Sequence, residues 1–136
     1  MDVELQHEKW GWMSEKTILL IDDDELVLKL LDINFRPRGF NVVDFLGGSG
    51  AFKKAREISP TLIILDIMMP LVAGWSVLQQ LKQDDSTRDI PVIVLTVKGS
   101  PEDISRAREM GAHRYVVKPF NPSELVSLVE ETIGTP

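Results

Sequence analysis

The segment LIILDIMMPLVAGW, residues 62–75, decides the fold because it places four consecutive aliphatic side chains directly before a carboxylate, Asp66. A short apolar run without polar alternation is typical of a strand that helices cover on both faces of a parallel sheet. Stretches of helical periodicity separate this run from other runs of strand length, and the alternation predicts βαβ units with five strands and five helices. The predicted strands are 17–21, 40–45, 62–65, 91–95 and 114–117.

The predicted helices carry recognisable start and stop signals. The first covers 25–36 and ends before Pro37. The third follows Gly74. The fourth and fifth begin at Ser100 and Asn121, each of which is a capping residue followed by a proline and, at the third helical position, an acidic residue.

The composition suits one domain with one core, since the chain has 136 residues, of which 43% are hydrophobic and 26% charged. Its 21 acidic residues outnumber the 15 lysines and arginines and give a net charge of -6. This charge repels a phosphate backbone, so we expect no direct nucleic-acid binding by this chain. The absence of cysteine excludes disulfides, thiolate catalysis and cysteine-ligated metal sites.

Residues 1–16 precede the first predicted strand and contain no apolar core of a signal peptide. No later apolar run approaches the ~18 residues of a membrane helix, so we expect a cytoplasmic protein without a membrane segment. We expect residues 1–16 to be a flexible extension of a domain that covers 17–134. Trp10 and Trp12 leave a second interpretation open, in which the extension docks or self-associates.

Polar side chains follow four of the five predicted strands. The first strand runs into three aspartates, 22–24, the third into Asp66, the fourth into Thr96 and the fifth into Lys118. In an open parallel sheet, ligands bind beyond the carboxyl ends of the strands, so these groups are expected to converge at one edge. Taken singly, each has about even odds of being a helix cap or a solvated loop residue. Agreement of all four by chance is much less probable.

Grouped carboxylates repel one another. A hard cation that takes oxygen ligands commonly relieves this repulsion, and Mg²⁺ is the best candidate. Such a cation, a carboxylate nucleophile, a lysine and a hydroxyl together describe phosphoryl transfer to an aspartate.

The chain resembles the receiver domains of response regulators in two-component signalling, of the chemotaxis-regulator type, from residue 17 to about residue 133. The resemblance implies a flavodoxin-like, doubly wound α/β fold with five helices and the strand order 2-1-3-4-5. It rests on four motifs in the family's order and spacing, which are highly specific as a set: ILLIDDDE (18–25), LIILDIMMPLVAGW (62–75), VIVLT (92–96) and YVVKPF (115–120).

The resemblance also implies a role for each residue at the strand ends. Asp66 matches the phosphoacceptor. Asp22, Asp23, Asp66 and the backbone carbonyl of Met68 match the Mg²⁺ ligands, with Asp22 acting largely through metal-bound water. Lys118 matches the lysine that pairs with the acceptor carboxylate or a phosphoryl oxygen.

Other positions match residues that take part in the conformational switch of the family, and one position departs from the family's sequence pattern. Thr96 matches the hydroxyl that bonds the phosphoryl group, and Tyr115 matches the aromatic residue that rotates inward. The Lys118–Pro119 bond matches one that is cis in the family. Val97 stands where the family favours a small residue, and the narrower access predicts slower phosphotransfer or hydrolysis.

The predicted function is that of a phosphoacceptor response regulator in a two-component phosphorelay. A sensor histidine kinase or phosphotransfer protein supplies the phosphohistidine, and Mg²⁺-dependent transfer to Asp66 drives a conformational switch. The added charge, roughly −1.5 to −2, lies beside Lys118 and Thr96 and favours conformations that direct donors inward. A downstream protein effector or a fused output domain is expected to respond, and a homodimer through the fourth and fifth helices is possible. We expect self-phosphorylation and self-dephosphorylation, not an enzyme with an external substrate.

The main alternative is a receiver-like module that binds partners without phosphorylation, although degenerate modules typically lose part of the acidic, hydroxyl and lysine set. The glycine-rich 47–50 segment lacks the remainder of a phosphate-binding motif. A hydrolase of the aspartyl-phosphate type is a distant alternative, since it typically has a second aspartate where this chain has Met68.

Overall fold

Numbered along the chain, the five described strands form one parallel sheet in the order 2-1-3-4-5. The computed structural model describes residues 15–69, 74–97 and 99–136. The order is that of the flavodoxin-like fold, so the predicted fold is confirmed. The strands are β1 (Thr17–Asp22), β2 (Asn41–Leu46), β3 (Leu62–Leu65), β4 (Val92–Thr96) and β5 (Arg114–Val117).

Each connection between successive strands contains a helix, which is the usual crossover between parallel strands. The first helix ends one residue earlier than predicted, because residues Arg36–Arg38 form a 3₁₀ turn around Pro37. Phe40, predicted to open β2, instead packs edge-on against Phe35, with ring centroids 5.7 Å apart. The helices are α1 (Glu25–Phe35), α2 (Ala51–Ile58), α3 (Gly74–Gln83), α4 (Pro101–Glu109) and α5 (Pro122–Ile133).

Apolar clusters cover both faces of the sheet. One is built by α1 and α5 and the other by α2, α3 and α4, each together with the strand residues that point to its side. Every residue of β3 and β4 is buried, which explains their continuous apolar sequences. Among the described helices, none is both long enough and apolar enough to cross a membrane.

The predicted helix caps are present. The Ser100 hydroxyl accepts from the backbone N–H of Asp103, 3.2 Å away, and the Asn121 side chain accepts from Ser123 and Glu124. Asp24 caps α1 by accepting from the Leu26 N–H at 2.9 Å. The third aspartate of the 22–24 run therefore has a local structural role. Residues 1–14 of the predicted extension lie outside the described residues.

Two carboxyl groups, Asp32 on α1 and Asp44 on β2, face each other near one edge of the sheet. Burial, followed by the hydrogen bond and charge of Asp32, raises the pKa of Asp44 from 3.8 to about 7, although the Arg36 charge opposes this. The folded state therefore holds a proton that the unfolded chain releases near its ordinary pKa. This stabilisation is complete below the ordinary pKa and is lost as the pH rises through about 7.

The first testable prediction is that Asp44→Asn flattens this pH dependence. At pH 8 the variant is expected to be more stable than the wild type by up to about 1 kcal/mol, because solvent screens the carboxylate at this exposed position. Urea unfolding at a series of pH values between 4 and 8 measures the effect. Asp85→Asn is a suitable control because its side chain is 89% exposed. Parallel pH curves for the wild type and Asp44→Asn would contradict the prediction.

Candidate functional site

One lysine bridges two buried carboxylates at the carboxyl edge of the sheet. The Lys118 Nζ atom lies 2.9 Å from Asp22 Oδ2 and 3.3 Å from Asp66 Oδ2. Asp22, at the end of β1, and Asp66, directly after β3, are each only 3% exposed. The site therefore joins residues from three strands, as the topology predicted.

Backbone hydrogen bonds hold the two carboxylates in place. The Met68 N–H donates to Asp66 Oδ1 at 2.9 Å, and the Asp24 N–H donates to Asp22 Oδ1 at 2.9 Å. The Asp66 N–H in turn donates to the Ile21 carbonyl at 2.9 Å. This hydrogen bond holds the start of the loop after β3 against β1. In each aspartate, one oxygen is fixed by the backbone and the other faces Lys118.

The charges of the site are mutually dependent. Burial raises the pKa of Asp22, although hydrogen bonds from Lys118 and Asp24 act against this rise. Burial lowers the pKa of Lys118, but the hydrogen bond and charge of Asp22, together with Asp66, outweigh it and leave the pKa above its usual value. The lysine is therefore charged at neutral pH and offsets part of the carboxylate repulsion.

A divalent cation fits the three acidic side chains. Carboxylate oxygens of Asp22, Asp23 and Asp66 all lie within 4.8 Å of one another, and Asp23 is exposed to solvent whereas the other two are buried. Opposite ligands of an octahedral Mg²⁺ lie about 4.2 Å apart, since each oxygen is about 2.1 Å from the ion. Met68, whose carbonyl is the fourth predicted ligand, lines the same cleft.

The predicted switch residues flank this cluster without lining the open cleft. Thr96 ends β4 and is fully buried, and its carbonyl accepts from the Lys118 N–H at 2.8 Å. Tyr115 is partly buried in β5, and burial together with the charges of Asp103 and Asp66 raises its pKa. The Lys118–Pro119 peptide bond is cis, as predicted. The roles of Thr96 and Tyr115 stay predictions.

The cleft has an apolar rim that the sequence patterns do not predict. A cavity of about 710 Å³ opens over Asp66 and Lys118. Large apolar side chains at its mouth are strongly exposed: Leu26 by 76%, Val97 by 66% and Leu46 by 55%. Only Val97 was singled out from sequence. The helical spacing of Leu26, Leu30 and Ile33 is typical of a buried face and predicts burial of Leu26, whereas its side chain faces solvent.

The close packing of Gly74, at the start of α3, is the second feature that the sequence does not predict. A Cβ atom at this position would lie 2.3 Å from the Ile67 Cα atom and 2.7 Å from the Asp66 carbonyl oxygen. The Gly74 N–H donates to the Ile67 carbonyl at 3.0 Å. The first turn of α3 therefore packs directly on the backbone of Asp66 and Ile67, the start of the acidic loop that follows β3, and only glycine fits there.

This chain is an α/β domain with a flavodoxin-like sheet. Its carboxyl edge carries a carboxylate cluster and a lysine, which together form an acidic site suited to a cation. The sequence pattern of the response regulator receiver domain matches residues 18–130. The chain therefore belongs to the family of response regulator receiver domains, the receiver components of two-component systems.

Comparisons with individual proteins agree with this assignment. The DNA-binding dual master transcriptional regulator RpaA of Synechocystis is 38% identical over 112 residues, which are 82% of this chain and 46% of RpaA. The solved chemotaxis protein CheY4 of Vibrio cholerae superposes with a TM-score of 0.81 at 25% identity, over 87% of this chain and 98% of CheY4. The chain spans about half the length of the curated relatives it matches.

A third comparison concerns the fold of a receiver with a bound ion. The receiver domain of the sensor histidine kinase PA1611 of Pseudomonas aeruginosa has a TM-score of 0.79 at 24% identity, over 90% of this chain and 100% of that domain. In that structure a magnesium ion is coordinated in the active-site cleft.

Proposed function

We propose that this receiver domain accepts a phosphoryl group on Asp66 from a phosphohistidine of a sensor histidine kinase or phosphotransfer protein. The observation that carries the proposal is the bridging position of Lys118, 2.9 Å from Asp22 and 3.3 Å from Asp66, at the floor of an open cleft. A buried carboxylate with a cation beside it is equipped to approach a phosphoryl group, whose negative charge it would otherwise repel.

Asp22, Asp23, Asp66 and the carbonyl of Met68 would hold Mg²⁺ at this site, with Asp22 largely through bound water. The bound ion supplies charge stabilisation for the phosphoryl oxygens. The donor set is made entirely of oxygen atoms, which Mg²⁺ prefers in proteins. The magnesium in the active-site cleft of the PA1611 receiver is consistent with this assignment.

In the proposed transfer, an Asp66 carboxylate oxygen attacks phosphorus and forms the new P–O bond. The bond between phosphorus and the histidine nitrogen breaks, and the nitrogen keeps the electron pair. Lys118 offsets the charge that gathers on the phosphoryl oxygens, since it already faces Asp66 Oδ2. Water later attacks the phosphorus of the acyl phosphate. The bond from phosphorus to the Asp66 oxygen breaks, inorganic phosphate leaves and the carboxylate is restored, so the chain acts as a switch on itself and not on an external substrate.

The conformational response is proposed to pass through Thr96 and Tyr115. The phosphoryl group adds acceptor oxygens beside the end of β4, and the Thr96 hydroxyl is placed at that end. Inward movement of Thr96 would make room for Tyr115 to rotate and would alter the surface of α4, β5 and α5. This surface is the proposed contact for a downstream effector, a fused output domain or a second copy of the chain. The protein is proposed to act in the cytoplasm.

Intact-mass spectrometry after incubation with acetyl phosphate, with and without Mg²⁺, tests the proposed function. A single phosphoryl adduct that requires Mg²⁺ and is removed by hydroxylamine is expected, since hydroxylamine cleaves acyl phosphates. If no donor produces an adduct, including a phosphorylated histidine kinase, the phosphorylation-independent interaction module becomes the better description.

The exposed apolar rim is the proposed docking surface for the phosphodonor protein. Leu26 lies at the mouth of the cleft and is well placed to be covered by a partner's apolar surface. We predict that Leu26→Glu slows phosphotransfer from a phosphohistidine protein about tenfold, equivalent to a loss of 1–2 kcal/mol of docking energy. The rate with acetyl phosphate should stay near that of the wild type. Ser127→Glu, an exposed position on α5, is the control, and equal rates for both variants would remove the docking role.

Val97 is predicted to limit access to the phosphoryl group. Its side chain is exposed at the rim of the cleft that contains Asp66 and Lys118. Val97→Ala shortens the side chain without touching the acidic cluster, so phosphorylation by acetyl phosphate and loss of the phosphoryl group should both accelerate severalfold. Time courses of the intact mass measure both rates. Unchanged rates would show that Val97 does not restrict entry.

A further inference from the structure

The structure contains a second groove, on the opposite side of the sheet from α1 and away from the acidic cleft. It lies between α3 and α4 and has a volume of about 580 Å³. Its walls combine aromatic, amide and cationic groups, among them Trp75, Gln79, Gln83, Arg106 and Met110. The proposed phosphotransfer uses none of these residues.

The groove is cationic in a chain of net charge -6. The Arg106 guanidinium lies 4.1 Å from the centroid of the Trp75 ring. Lys82 at the other end donates to the carbonyls of Arg88 and Ile90, which fixes its charge at the groove. No carboxylate belongs to the groove lining in the described part of the chain.

We propose that the chain's own N-terminal segment, residues 2–13, occupies this groove. The segment carries three carboxylates, Asp2, Glu4 and Glu8, against one lysine, and it also contains Trp10 and Trp12. Its negative charge complements Arg106 and Lys82. Its indoles suit a groove that already offers an aromatic ring, a thioether and amides.

The length of the segment permits this contact. Thr17 starts β1 at the amino-terminal edge of the sheet, and Gln83 ends α3 at that same edge, before β4 begins. The groove lies two strand spacings from β1 and one helix layer above the sheet, which is about 14 Å in a straight line because the two displacements are perpendicular. From Thr17, an extended chain spans up to about 17 Å over the five steps to Trp12 and up to about 24 Å over the seven steps to Trp10, so both indoles can reach the near end of the groove.

Charge disfavours the other large apolar surface as the docking site. The rim of the acidic cleft is lined by Asp23, Asp24 and Glu25, which would repel an acidic segment. The groove between α3 and α4 presents the opposite charge. The segment is therefore expected to cover the groove and to leave the cleft open to the phosphodonor.

Two-dimensional ¹H–¹⁵N spectra of the full chain test the proposal, with substitutions only in the segment so that the groove itself is not altered. The double variants Trp10→Ala/Trp12→Ala and Glu4→Lys/Glu8→Lys are each expected to shift the Trp75 indole N–H and the side-chain amides of Gln79 and Gln83. Gln6→Ala, a neutral change in the same segment, is the control and should leave these signals in place.

Three results would overturn the proposal. Spectra that coincide outside the segment would show that it does not dock. Shifts at Leu26 and Val97 instead of the groove would place it at the acidic cleft. Shifts that grow with protein concentration, together with a doubled mass in light scattering, would show that the groove receives the segment of a second copy.

Discussion

Replacing Asp66 with asparagine is expected to abolish the phosphoryl adduct, a loss of several orders of magnitude in the phosphorylation rate. The amide is a poor nucleophile and carries no negative charge, so it provides neither the attacking oxygen nor a charged ligand for Mg²⁺. The substitution keeps the shape of the side chain, and its carbonyl oxygen can still accept the Met68 N–H that now donates to Asp66 Oδ1. The loss therefore reports chemistry and not misfolding.

Intact-mass spectrometry after acetyl phosphate treatment measures this loss, and the circular dichroism of the variant shows whether the fold is kept. Asp85→Asn makes the same chemical change at an exposed carboxylate outside the site and should be phosphorylated like the wild type. If the Asp66→Asn variant formed the same adduct at a similar rate, the acceptor would be another residue, and Asp22 and Asp23 would be the next to replace.

The topology and most of the site were predictable because they depend on regular patterns. Continuous apolar runs identified β3 and β4, and the carboxyl ends of parallel strands meet at one edge whatever connects them. Asp22, Asp66 and Lys118 each follow such a run directly, so their convergence needed no knowledge of side-chain packing. The caps at Ser100 and Asn121 are equally local, since each involves residues two or three positions apart.

The features that were missed depend on contacts between distant segments. Lys118 bonds Asp22 more closely than Asp66 although 96 residues separate Lys118 and Asp22, and no sequence pattern ranks those two distances. Leu26 has the spacing of a core residue and yet faces solvent, because α1 packs against the sheet through Leu28, Leu31 and Phe35. The apolar rim therefore appears only once the rotation of α1 about its axis is known.

Gly74 provides the second prediction with a large expected effect. Alanine normally stabilises a helix by 0.5–1 kcal/mol relative to glycine. At this position the sign should reverse, because the new Cβ atom would meet three backbone atoms at 2.3–2.7 Å, belonging to Ile67 and Asp66. Backbone cannot move aside as a flexible side chain does, so Gly74→Ala is expected to lower the free energy of unfolding by about 3 kcal/mol or more.

Urea unfolding measures this loss, and Gly47→Ala separates its cause from backbone strain. Gly47 has a φ of +83°, and nothing lies within 4 Å of a Cβ atom built there. Its replacement should therefore cost only the left-handed backbone penalty, about 1–2 kcal/mol. The Gly74→Ala variant is also expected to phosphorylate more slowly, because α3 can relieve the clash only by displacing the loop that holds Asp66. A Gly74→Ala variant as stable as the wild type would show that α3 and the acidic loop are not in direct backbone contact, and the packing that positions the phosphoacceptor would then have to come from β1 and Lys118 alone.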